Sequence, residues 1–450
     1  MPRRARTNES PSDWLSSARS RCEPYTGQET WSGLSSDVVR RVLPSGLRVL
    51  IKEVYPASVV SVAFWIGVGA LHETDEEAGV SHFVEHMLFK GSRARPPGAL
   101  TREIHALGGY VNAFTSFEST CLWCVVPSRH LPAVLDALAE TVLNPLFEPA
   151  ETEREIGVIL DEMRMRQDRP EAWCTENLLK LAFPRHPYGR PVIGLEPVLR
   201  SMEPSRLRRH HQAHYVAQNI AVVVVGDVQA EPTCQRIQDL LAGLAPGPIR
   251  PEPPQPVLPQ EGLRRLDLEQ DLSSAHLQML FPLPGLFSPG ALACDLVSSV
   301  LGDGRSSRLS RRLRERQGLV TRVGCSAFLE RGPGFLLLDC TLPPENLDLV
   351  EAGIFEELEA LRRGGPTPRE MQKARNRAQS AFVFNQETVE GIGRTLGHFE
   401  MLGDHTLADL YVRQLAGIRG EEVLEACRLY LRRERCSVVR NRPPRVGAAS

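Results

Sequence analysis

Pro246-Gly-Pro-Ile-Arg-Pro-Glu-Pro-Pro-Gln-Pro-Val-Leu-Pro259 decides how the chain is divided. Proline lacks a backbone donor and fixes φ, so a run this dense cannot lie inside a helix or sheet and behaves as a stiff, extended linker. Taken as 246–262, the linker separates 38–245 from 263–442, and each segment is long enough to bury a core of its own. Residues 1–37 are rich in Ser and Arg, lack helical periodicity and read as a disordered extension, with 443–450 as a flexible tail. The extension has no apolar h-region and does not read as a secretory signal.

The two segments repeat one another. Thr120-Cys-Leu-Trp-Cys-Val-Val126 reads as a strand, followed by Pro127 and an amphipathic helix through Leu131, Val134, Leu135 and Leu138. Gly334-Phe-Leu-Leu-Leu-Asp-Cys340 is followed likewise by Pro343 and a helix through Leu347, Val350, Ile354 and Leu358. A constant offset of 216 places Cys124 on Cys340, Pro127 on Pro343, Leu131 on Leu347 and Val134 on Val350. Strands at Leu47 to Glu53, Val59 to Gly69 and Ile220 to Val228 accompany the helices. The expected fold is therefore α+β: two homologous repeated domains, each an antiparallel sheet with helices packed on one face.

Composition narrows the function classes. With 42% apolar and 24% charged residues the chain has the make-up of a soluble globular protein, and its longest apolar run, Ile220 to Val225, is strand-length. A formal net charge of −2 gives no basic field, so neither nucleic acid nor a membrane surface is expected as a partner. The ten cysteines are scattered, and Cys121 and Cys124 would point to opposite faces of one strand. They read as buried free thiols of a cytoplasmic protein. His210, His211 and His214, beside Arg208 and Arg209, read as an exposed helix end.

Gly79-Val-Ser-His-Phe-Val-Glu-His-Met-Leu-Phe-Lys90 carries the chemistry. Ser81 reads as a helix start, and nothing breaks the helix before Gly91. His82 and His86, four apart, then emerge on one face, the spacing with which a helix offers two nitrogens to a tetrahedral zinc. Glu85 is placed to take a proton from the water that zinc activates. A third ligand can come from Pro149-Ala-Glu-Thr-Glu-Arg-Glu-Ile-Gly-Val-Ile-Leu-Asp-Glu-Met-Arg164, where Glu155 and Glu162 lie seven apart on one helix face. Ile156, Ile159, Leu160 and Met163 form the adjoining apolar stripe, so Glu162 would sit deep enough to be costly without a cation.

His82-Phe-Val-Glu85-His86, followed 76 positions later by Glu162, resembles the inverted zinc motif of the pitrilysin-type metallopeptidases, which include the mitochondrial processing peptidase. The resemblance continues through Gly108-Gly-Tyr-Val-Asn112-Ala113-Phe-Thr115, Glu118 and Thr120, then Tyr188 to Gly194 and Val225-Gly226-Asp227, and spans about 38 to 442. It implies one zinc held by His82, His86 and Glu162, Glu85 as general base, and Glu155 as a second carboxylate supporting the ligands. It also implies Asn112 and Ala113 on or beside an edge strand that binds an extended peptide by backbone pairing.

The second half has no zinc motif: with its helix aligned on Pro368, Glu155 and Glu162 fall on Ala374 and Ala381. In the family this half supplies an Arg and a Tyr to the substrate carbonyl. Arg314 matches the first, and Thr321 stands where the Tyr is expected. The implied activity is a zinc endopeptidase or oligopeptidase. Its alternative is the zinc-carrying subunit of a heterodimer whose partner supplies the Arg/Tyr pair, or a non-catalytic interaction subunit. With two repeats per chain, a homodimer or a heterodimer with a related non-zinc chain is expected.

Overall fold

The computed structural model describes residues 33–248 and 260–444. Most of the expected extension, the centre of the linker and most of the tail (1–32, 249–259 and 445–450) lie outside the described residues. Residues 33–37, assigned to the extension, are held: Leu34 is buried, and the backbone N–H groups of Leu34 and Ser35 donate to Asp409 at 2.6 and 3.0 Å.

Two sheets form the frame. The first has six strands, β1 (Val38–Val42), β2 (Arg48–Glu53), β3 (Val59–Ile66), β4 (Tyr110–Thr115), β5 (Thr120–Pro127) and β6 (Ile220–Gly226), in the order β1-β2-β6-β3-β5-β4. The second has five, β7 (Arg264–Glu269), β8 (Ala275–Leu283), β9 (Arg322–Phe328), β10 (Gly334–Leu342) and β11 (Ser437–Arg442), in the order β7-β11-β8-β10-β9. Apart from β1 the two orders are the same. Each sheet is mixed, which corrects the antiparallel expectation: β2 runs parallel to β6, and β7 to β11. The last strand of each half returns only after the helices, β6 beside β2 and β11 beside β7, and such a crossover, unlike a hairpin, permits parallel pairing.

The helices of the first half that matter here are α1 (Val80–Leu88), α2 (Leu131–Leu143), α3 (Pro149–Gln167), α4 (Pro170–Ala182) and α5 (Pro204–His214). Those of the second are α6 (Ala291–Gly302), α7 (Leu347–Gly364), α8 (Pro368–Asn385) and α9 (Val389–Leu402). The repeat read from sequence holds in detail, since α2 and α7 begin 216 residues apart, each behind a short 3-10 turn. It also holds at Gly69 and Gly285, again 216 apart. A Cβ on either would lie 2.3 Å from a carbonyl oxygen, that of Ser116 or Gly332 respectively, so both hairpins press on a residue that must be glycine.

Helices cover both faces of each sheet, not one as expected. The first sheet packs on its own helices through Val62, Phe64, Leu122, Val222 and Val224. Its other face, with Trp65, Trp123 and Val223, is covered by Ile392, Leu396 and Phe399 of α9 from the second half. Reciprocally, Cys174 and Leu178 of α4 pack on Leu280, Phe335 and Val439 of the second sheet. The strands require this: β6 and β8 are buried at every position, and a strand apolar on both faces needs cover on both. Cys121 and Cys124 point to opposite faces, as expected, and nine free cysteines are buried among the described residues. No described helix is long and apolar enough to cross a membrane.

Candidate metal centre

Helix α1 begins one residue earlier than expected, at Val80. Its N-cap, Gly79, has φ +94°, and a Cβ there would lie 2.7 Å from Gly194 Cα and from the Ile193 carbonyl oxygen. Gly194 answers with φ +99°, so the two backbones touch where only glycine fits on both sides. The free N–H groups of the helix start are taken up by the buried Glu73, which accepts from Gly79 at 2.8 Å and Ser81 at 2.7 Å. Val80, Phe83, Val84 and Met87 bury the core face of α1. That fixes its rotation and turns His82 and His86 together, with ring centroids 4.6 Å apart.

Helix α3 supplies the carboxylates. Ile159, Leu160 and Met163 anchor it, Glu155 is buried beside them, and Glu162 is partly exposed at the rim. Glu162 Oε2 lies 3.7 Å from His82 Nε2 and 3.5 Å from His86 Nε2, and the ligand atoms of the three side chains all fall within 4.8 Å of one another. Donors bound to a tetrahedral zinc at about 2.0–2.1 Å are separated by about 3.4 Å. Two imidazoles and a carboxylate at this spacing therefore fit zinc with little adjustment.

Charge around the cluster is arranged in layers. Glu155 Oε1 is 2.8 Å from His86 Nδ1 and its other oxygen 2.7 Å from Lys90 Nζ, which fixes the ring and points Nε2 at the cluster. Burial by itself would lower the His86 pKa, but its bonds to Glu155 and Glu162 outweigh that and carry it up to about 9. Burial and the neighbouring His86 hold His82 down at about 4, so this ring is neutral and keeps a lone pair free. Glu162 lies below the usual carboxylate range, chiefly through His86. Glu85 is buried, which raises its pKa, while Thr115 Oγ1 donates to its Oε2 at 2.6 Å and partly offsets this.

Thr115 ends β4, and β4 is the edge of its sheet, paired with β5 alone. Asn112 is exposed and Ala113 partly buried on this edge, which has no strand on its outer side, and the Ala113 backbone N–H donates to Asn112 Oδ1 at 2.9 Å. Arg314 lies half-exposed in the π-helical turn Ser310–Arg316, its Nε 3.9 Å from Glu315. The hydroxyl of the exposed Thr321 donates to the Thr341 carbonyl at 3.0 Å. The bonds of both residues stay within the second half. The histidines of α5 correct the sequence reading: His210 and His211 are buried. Nε2 of His210 meets Ser81 Oγ at 3.2 Å and that of His211 the Val142 carbonyl at 2.8 Å, because both share the face that carries the buried Leu207.

Sequence reasoning assigned no role to Glu73, Lys90 or Thr115. An acidic residue shortly before a helix start was the one available signal for Glu73.

Residues 48–196 match the family model described as insulinase (peptidase family M16), and residues 201–378 match the peptidase M16 inactive domain. An uncharacterized zinc protease of Mycobacterium tuberculosis is 30% identical over 402 residues, covering 88% of this chain and 91% of the relative. The uncharacterized zinc protease YmxG of Bacillus subtilis is 27% identical over 389 residues, 86% of this chain and 94% of YmxG. Among solved structures, a protease from Helicobacter pylori superposes with a TM-score of 0.84 at 22% identity, over 90% of this chain and 99% of that one. The first half of the periplasmic protease PqqL from Escherichia coli gives 0.74 at 19%, over 92% and 93%.

Proposed function

The chain belongs to peptidase family M16, the insulinase or pitrilysin family, and from that premise we propose that it is a zinc-dependent peptidase acting on extended or unfolded peptides. The observation that carries this reading is the convergence of three donors at zinc spacing with a buried carboxylate, Glu85, tied by Thr115 to an open sheet edge. Zinc, when bound by His82, His86 and Glu162, supplies Lewis acidity and lowers the pKa of a coordinated water to about 7.

The chain's own residues do the rest. Glu85 takes the proton of the attacking water and returns it to the leaving amine. Its raised pKa suits both directions of transfer. Glu155, clamped between His86 and Lys90, orients the His86 ring and balances its charge. A peptide adding to β4 at Asn112 and Ala113 would pair through its backbone beside Thr115, which favours unfolded segments over folded surfaces. Nine buried thiols among the described residues support a cytoplasmic setting.

A second reading concerns completeness. Arg314 is half-exposed and bonded within its own half, and Thr321 is too short to place a phenol at a scissile carbonyl. These two observations favour a heterodimer in which a related chain supplies the Arg/Tyr pair that holds the developing oxyanion. Zinc content and cleavage of an unstructured peptide library, before and after chelation, test both readings. One zinc per chain with chelator-sensitive cleavage supports a self-sufficient peptidase. Zinc without cleavage directs attention to the partner, and a chain that binds no zinc would sink the site.

A further inference from the structure

The side of β4 turned away from the zinc motif carries a group that the reaction as proposed does not use. Side chains alternate along β4: Val111 and Ala113 pack toward α1, whereas Phe114 joins the cluster of Trp65, Trp123 and α9 on the opposite face. There the guanidinium of Arg394, on α9, lies 5.5 Å from the Phe114 ring centroid and 5.2 Å from that of Trp123. Phe114 and Trp123 meet edge to face at 5.8 Å, so they form a shelf beneath the cation. The natural counter-ion, Glu390 one turn earlier, is already engaged. Tyr110 donates to one of its oxygens at 2.6 Å and Trp123 Nε1 to the other at 3.0 Å, leaving Arg394 at 3.9 Å. Arg394 is thus held in place by two rings, half-exposed, with its donor fork turned to no closer acceptor among the described residues.

A strand added to β4 puts the side chain opposite Phe114 on this same face, because directly paired residues share a face. The neighbouring position on β4 is Thr115, which holds Glu85, so this side chain belongs to a residue close to the scissile bond. The geometry points to Arg394 as a specificity-determining residue that selects an acidic side chain, Asp or Glu, in the substrate residue opposite Phe114. Glu390 serves as the positioning residue that fixes Tyr110 and Trp123 around it. The inference rests on the reading of β4 as the peptide-binding edge.

Two measurements separate its failure from failure of the peptidase reading. In the first, cleavage sites in a peptide library are mapped by mass spectrometry for the wild type, Arg394→Gln and Arg394→Glu. The expected result is acidic enrichment at one fixed position near the cut, lost in Arg394→Gln and turned to basic enrichment in Arg394→Glu. The ratio of Glu to Lys peptides should change by at least about tenfold, as for a partly desolvated charge pair. An identical profile in all three overturns the assignment. In the second, labelled peptides differing only as Glu, Gln or Lys are titrated by fluorescence anisotropy against Glu85→Gln and against Glu85→Gln with Arg394→Glu. A preference for Glu that reverses in the double variant upholds the assignment even without turnover, and equal affinities for all three peptides reject it.

Discussion

The two halves place the same pair of helices in the same surroundings and use them differently. Helices α1 and α6 both start from a glycine in the left-handed region, Gly79 at φ +94° and Gly290 at φ +84°. Aligned on those caps, His82, Glu85 and His86 face Ala293, Leu296 and Val297, all three of them buried core residues. Aligned on Pro149 and Pro368, Glu155 and Glu162 face Ala374 and Ala381. The fold therefore needs only the cap, the proline and the apolar stripe. The polar residues of the first half are an addition that the architecture tolerates, at the cost of desolvating Glu85, His82 and Glu155.

The comparison can be broken or sharpened by experiment, beginning with the largest effect. Exchange of Glu85→Gln should cut peptide cleavage by about 10³-fold or more while one zinc per chain is retained, as for loss of a general base. Metal analysis beside a turnover assay decides, and near-normal turnover would remove Glu85 from the reaction.

Glu155→Gln should come next, weakening zinc affinity by about 10–100-fold, because it releases the His86 ring that Glu155 orients. Competition with a chromophoric chelator measures this, and the counterpart change Ala374→Glu in the second half should create no zinc site.

A pH effect follows from His86. Its value of about 9 in the metal-free protein lies above its ordinary 6.5, so the ion pair with Glu155 stabilises the fold fully below pH 6.5 and ceases to do so as pH rises through 9. Zinc uptake between those limits must displace the proton. Calorimetry in buffers of different ionisation enthalpy should find more protons released per zinc near pH 7.5 than well above pH 9, the excess being the His86 proton. Release that does not vary with pH would contradict the assignment.

The smallest expected effect is the most direct test of the comparison. In metal-free protein, Glu85→Leu, which copies Leu296, should raise the melting temperature by about 2–4 °C, since a buried carboxylate with a raised pKa gives way to a side chain the same fold already accommodates. A lower melting temperature would mean that the Thr115–Glu85 bond contributes more than burial of the carboxylate costs.

Much of this was legible along the chain. The spacing of His82 and His86, the seven-residue separation of Glu155 and Glu162 and the opposed sulfurs of Cys121 and Cys124 are all local periodicities. A helix or strand imposes them on its own residues whatever it packs against. Other features were not legible. The sequence marked His210 and His211 as part of a helix end but could not say that both would be buried, His210 under Ser81 and His211 against the Val142 carbonyl. Nor could it assign the Gly79 and Ser81 N–H groups to Glu73, or Glu85 to Thr115, thirty residues away on another element.

The sequence by itself determined the elements and the spacing of the candidate ligands along each helix, because these depend on hydrogen bonding and side-chain direction within one segment, and it carried the duplication because the same element order recurs at a fixed offset. Tertiary structure alone decided the exchange of α4 and α9 between the sheets, the parallel return of β6 and β11, and the seating of Arg394 over Phe114 and Trp123. Each of these is a choice of partner between segments distant in sequence. Many apolar faces are chemically interchangeable, and only simultaneous packing of all of them selects one arrangement.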